Sequence, residues 1–132
     1  MSKPYVIHPE DCPVEGWDDP ARGSVRWWTL VSADRHPSDS MVVGIAELAP
    51  STEPDTALSL HWHVEAEVYH ILSGSGVVII NAVEHLVRPG STVFIPGNAE
   101  HGVRNTGTEP LRLLYVFARD AFDQIKYTFS DK

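Results

Sequence analysis

The stretch HWHVEAEVYHILSG, residues 61–74, decides the fold of this chain, and GSTVFIPGNAEHGVRN, residues 90–105, answers it. His61 and His63 stand two apart, and on a strand side chains two apart leave the same face, so two imidazoles can reach one point. Glu67 and, from the second stretch, His101 complete a set of four candidate ligands. Imidazole and carboxylate suit a divalent first-row transition metal. Ligands drawn from separate strands fix its geometry while leaving positions open for water or substrate. Gly74, Gly76 and Gly90 are expected to supply reversals with positive φ, and Pro96 to end a strand before the His101 loop.

Working outward, strand-like runs follow one another at short intervals: 25–31, 41–48, 58–63, 68–72, 77–80, 85–87, 92–95, 102–105 and 111–117. Many short strands separated by Gly, Pro, Asn and Ser turns predict an all-β sandwich or barrel. Prolines at 4, 9, 13 and 20 predict a mostly irregular arm over residues 1–24, leaving 25–132 as the barrel domain. The tail should open with a helical turn near Ala121 and end extended over 125–129.

At 132 residues, 42% hydrophobic and 21% charged, the chain is long enough for one globular core and too short for two. A net charge of -8 argues against nucleic acid, which needs a basic face. The single cysteine, Cys12, cannot form an internal disulfide, and no apolar run is long enough for a membrane span or shaped like a signal peptide. Cytoplasm is the expected location.

The two opening stretches resemble the paired signature of the cupins, G-x5-H-x-H-x3,4-E-x6-G and G-x5-P-x-G-x2-H-x3-N. By position the resemblance implies a jelly-roll β-barrel with His61, His63, Glu67 and His101 as ligands of one divalent ion, and Gly74, Gly90, Pro96 and Asn105 in register. One departure is that Asn98 stands at the second glycine of the later motif, with glycine displaced to Gly97. Iron, manganese, nickel, cobalt and zinc all suit this ligand set.

Facing arguments sort the neighbours. Tyr69 and Ile71 share the face of Glu67, so Tyr69 is expected to line the metal cavity, while Val68, His70 and Leu72 point away. A cavity tyrosine is either a core ring whose hydroxyl finds a polar partner or, beside a dication that favours phenolate, a base. Trp27 is expected inward with Val25 and Thr29, and Trp28 outward with Arg26. His8, His36 and His85 read as solvated, as do the loop carboxylates Glu65 and Glu100.

From about Ser24 onward the chain is similar to the small cupin lyases that cleave dimethylsulfoniopropionate (DMSP) to dimethyl sulfide and acrylate. VRWWTLVSAD at 25–34, LHWHVEAEVY at 60–69 and GNAEH at 97–101 carry the similarity. It implies Tyr69 as catalytic base and Tyr127 as a pocket residue. Trp27, Trp28 or Tyr127 would then set an aromatic face against the sulfonium of a small carboxylate substrate. Two other classes share the ligand set: a cupin dioxygenase using ferrous iron and O2, and a non-catalytic protein binding a metal and a small acid. Outward Val68 and Leu72 would leave apolar surface on a lone barrel, so a homodimer is expected.

Overall fold

A computed structural model describes residues 3–50 and 57–130. Among these, two single 3-10 turns, Pro9–Asp11 and Phe122–Gln124, accompany eleven strands. In chain order the strands are β1 (Val14–Asp19), β2 (Gly23–Val31), β3 (Val42–Leu48), β4 (Leu58–Trp62), β5 (Glu67–Ser73), β6 (Gly76–Ile80), β7 (Val83–Val87), β8 (Thr92–Ile95), β9 (His101–Arg104), β10 (Leu111–Phe117) and β11 (Thr128–Phe129). Pairing is antiparallel throughout, in the order β7-β6-β9-β4-β2-β3-β10-β5-β8, with β1 added on β2 and β11 on β4. The sheet curls into a jelly-roll β-barrel, the form the cupin resemblance implies and one of the two all-β forms the strand spacing allows.

Alternation sets the inside and the outside. On β3 and β10 every second residue is buried, and the inward set of β10 is Leu111, Leu113, Tyr115 and Phe117. On β5, Glu67, Tyr69 and Ile71 point inward while Val68 and His70 are half-exposed, the facing expected from period two. Between β2 and β10 the small inward residues Gly44 and Ala46 of β3 leave space above the sheet. A Cβ on Gly44 would run into the Tyr115 hydroxyl, so that glycine is what lets the tyrosine lie across β3. Leu111 is fully buried. Leu111→Ala is expected to cost about 2–5 kcal/mol, read as a lower denaturant midpoint without loss of slope.

Two local expectations change, and one departure from the motif finds its reason. The arm over 1–24 is not irregular throughout: Val14–Asp19 forms β1, hairpinned onto β2 with Trp17 opposite Val25. Its prolines all fall outside those residues. Asp19 closes the turn by accepting from the Ala21 and Arg22 amides, and Gly23 takes φ 107°. Gly76 does not adopt positive φ, unlike Gly74 and Gly90. It lies within β6, where a Cβ would meet the Arg104 carbonyl oxygen at 2.5 Å, so close backbone approach is its constraint. Asn98 sits at φ 66°, the left-handed conformation that asparagine tolerates better than most residues. That accounts for asparagine where the motif has glycine.

Candidate metal centre

β4 and β9 lie side by side with His61 opposite His101, which brings their rings to 4.2 Å between centroids. His63 follows directly after β4. Its carbonyl accepts from the Asn98 amide at 2.8 Å, so the turn after Pro96 clasps the His63 backbone and sets its ring 4.9 Å from that of His101. Glu67 opens β5 opposite Ile95 of β8. All four side chains are buried.

Each histidine is oriented by its own backbone. Nδ1 of His61 lies 2.8 Å from the Ser59 carbonyl, that of His63 2.9 Å from the Glu65 carbonyl and that of His101 2.8 Å from the Ala99 carbonyl. A carbonyl can only accept, so each Nδ1 carries the proton and each Nε2 keeps its lone pair. The histidines offer ligand atoms within 4.8 Å of one another. Glu67 Oε1 lies 3.3 Å from Nε2 of both His63 and His101. Nε2 of His61 is buried and meets no partner among the described residues. Basic lone pairs and a carboxylate gathered away from water call for a cation. The three imidazoles could hold a metal ion, and Glu67 stands beside them.

The electrostatics agree. Burial, then the neighbouring His101, pushes His61 down to about 3. For His63 burial works downward, but the hydrogen bond and charge of Glu67 outweigh it and the imidazole rises. Burial would raise Glu67, yet His101 and His63 together hold it low. Where His63 is charged, a metal must displace the proton on its Nε2 beside Glu67. Uptake is therefore expected to release protons wherever His63 is charged and to weaken as pH falls, starting above the range of a free imidazole because His63 is raised, which potentiometric titration of metal binding would check.

A cavity adjoins the histidines, with Glu67, Tyr69, Tyr115, Tyr127, Trp17 and Trp27 on its wall. Tyr69 is 3% exposed, and its ring stands 6.3 Å from that of His101. Burial, then the Glu67 charge, holds its phenol well above the usual range. Tyr127 stacks on His61 at 4.9 Å and 23°. β11 places it there, since Phe129 pairs opposite His61. Trp27 is buried and inward as expected. Trp28 lies outside, flanked by the Arg26 and Arg112 guanidinium groups at 5.6 and 5.5 Å. It cannot face a ligand in the cavity.

Sequence reasoning missed Trp17. Its ring meets Trp27 edge-on at 4.8 Å and lies 5.4 Å from both Tyr127 and Phe129. The signal lay in the proline-free run 14–19 between Pro13 and Pro20. Tyr115 was missed too, though its place on an alternating strand could have revealed it. Glu65 is buried beside Arg119, at 3.2 Å, rather than solvated.

An antiparallel jelly roll with three convergent histidines inside one mouth defines a small barrel able to carry a metal. The cupin domain family matches residues 45–117. The chain belongs to the cupins, and within them to the family of the dimethylsulfoniopropionate lyase DddW of Ruegeria pomeroyi, with which it is 42% identical over 96% of its own length and 80% of that protein's. Solved structures share the fold. The polyketide cyclase RemF of Streptomyces resistomycificus superposes with TM-score 0.78 at 20% identity, covering 98% of this chain and 89% of that one. A structure of DMSP lyases superposes with TM-score 0.65 at 23% identity over 81% and 53% of the respective chains.

Proposed function

We propose that the protein is a metal-dependent carbon–sulfur lyase that splits DMSP, or a similar small β-substituted carboxylate, by β-elimination. The observation that carries this reading is Tyr69, buried on the inward face of β5 two residues from Glu67 and facing the cavity beside the histidines. The extended similarity to DddW supports the substrate class. His61, His63, Glu67 and His101 would hold one divalent ion of iron, manganese, nickel, cobalt or zinc. Such an ion supplies positive charge that acidifies the proton next to a substrate carboxylate and lowers the pKa of a nearby phenol.

The remaining steps belong to the chain. Tyr69, as phenolate, takes the α-proton onto its oxygen. The electron pair released forms the carbon–carbon double bond of acrylate, and the β-carbon–sulfur bond breaks with its electrons leaving on sulfur. Dimethyl sulfide departs neutral and needs no acid. Tyr127 and Trp27 wall the cavity with aromatic faces that attract the sulfonium, worth about 0.5–2 kcal/mol. The apolar lining excludes water that would compete for the base. Because burial keeps the Tyr69 phenol neutral in the metal-free pocket, metal loading is expected to raise phenolate absorbance near neutral pH. Tyr69→Phe should abolish that change.

Release of dimethyl sulfide from DMSP under anaerobic conditions tests the lyase against an oxygen-dependent cupin. An absolute need for O2 would favour the dioxygenase.

The same reading includes a homodimer in the cytoplasm. On the outward face Val68 pairs across from Phe94, which is 65% exposed, and Leu72 is 43% exposed. A second copy would cover this face. Light scattering at micromolar concentration should give the mass of two chains; a mass of one would exclude a stable dimer. No described helix is long and apolar enough to cross a membrane.

A further inference from the structure

One residue of the cavity wall carries a buried donor with no acceptor among the described residues. The indole Nε1–H of Trp27 is buried and meets no hydrogen-bond partner among the described residues. Trp27 is 8% exposed, and its ring is wedged between Trp17 at 4.8 Å and 67° and Phe122 at 5.9 Å and 62°. Held on two sides, the ring cannot swing its N–H to solvent. Buried polar groups are nearly always paired, so an exception on a cavity wall marks a place where the ligand brings the partner.

The chemistry of that partner follows from the donor and the walls. A phenol hydroxyl can rotate toward a neighbour or accept instead, whereas an indole N–H only donates, and in one direction. The ligand must therefore present an acceptor. Among the described residues most of the remaining lining is apolar, Glu67 is the only charged side chain in it, and none is lysine or arginine. An anionic ligand thus has no cationic side chain to meet there. We propose that Trp27 Nε1–H donates to a carboxylate oxygen of the substrate and so selects for carboxylates. The inference rests on the reading above for its substrate, and assigns to Trp27 a role distinct from that of its aromatic face.

The two roles separate on substitution. Trp27→Phe keeps a ring face and loses the N–H, whereas Trp27→His keeps a ring N–H in a smaller ring. The probe is 3-(methylsulfanyl)propionate, which retains the carboxylate and lacks the cation, titrated calorimetrically into zinc-loaded protein. Trp27→Phe is expected to weaken binding about 10- to 100-fold, the usual cost of losing a hydrogen bond to a charged group, with zinc content unchanged. Trp27→His should recover part of the loss. Unchanged affinity in Trp27→Phe overturns the proposal, as does an equal loss in both variants, which would mean packing alone. Wild type that does not bind the probe overturns it too. Should Trp27→Phe fail to fold, Trp27→His decides: affinity within a few-fold of wild type supports the donor and a loss of tenfold or more removes it. Calorimetry needs no turnover, so wild type that binds the probe but releases no dimethyl sulfide from DMSP would defeat the lyase reading and not the carboxylate donor.

Discussion

Tyr69→Phe should release dimethyl sulfide from DMSP about 10²- to 10⁴-fold more slowly than wild type while carrying the same metal content. The substitution removes one oxygen from a ring that is already buried among core side chains, so packing on β5 and its pairing with β8 and β10 should survive. What it removes is the only atom of that residue able to take a proton. The loss should fall on kcat rather than KM, because the base acts in the transition state and contributes little to holding the ground state. Gas-phase detection of dimethyl sulfide above anaerobic, metal-loaded protein gives the measurement. Full activity in Tyr69→Phe would end the role assigned to Tyr69, and no release from wild type with any of the five metals would end the lyase reading.

His63→Ala should lose both the metal and the activity. Its Nε2 and that of His101 flank Glu67 Oε1 at 3.3 Å, so removing the imidazole takes away one donor and frees the carboxylate from half of its arrangement. Metal per chain, measured by elemental analysis after purification with added metal, should fall well below the wild-type ratio. Wild-type stoichiometry in His63→Ala would refute the ligand assignment. His70→Ala supplies the control. That residue sits in the same motif but points outward, with Nδ1 bonded to the Thr92 hydroxyl, and its loss should leave both metal content and rate unchanged.

Much of this is legible in the sequence. Alternation placed Tyr69 with Glu67 and turned His70 away, because period two is a local property of an extended backbone and needs no partner strand. The same argument separated Trp27 from Trp28. Strand positions followed from turn residues, and the observed β8 and β10 have the predicted bounds. β1 was hard to read because the run 14–19 offers little beyond its lack of proline, and the partner that holds it as a strand is β2. Gly76 was misread for a related reason: a glycine required for φ and one required for space look alike until a neighbouring strand is in place.

By itself the sequence determined an all-β sandwich or barrel, the candidate ligands, and which side of each strand they leave, since all of these depend on residue type and spacing along the chain; the choice of a barrel came from the resemblance of its motifs to the cupins. Only the tertiary structure decided that His61 faces His101 across β4 and β9, that backbone carbonyls point each Nε2 inward, and that Trp17 and Tyr127 reach the same cavity from opposite ends of the chain. The pairing of His61 with His101 and the meeting of Trp17 with Tyr127 join residues far apart in sequence, and the carbonyls, though only two residues from their histidines, take their directions from the same strands and turns. They depend on strand order and register, which long-range hydrogen bonding and burial select and no local pattern encodes.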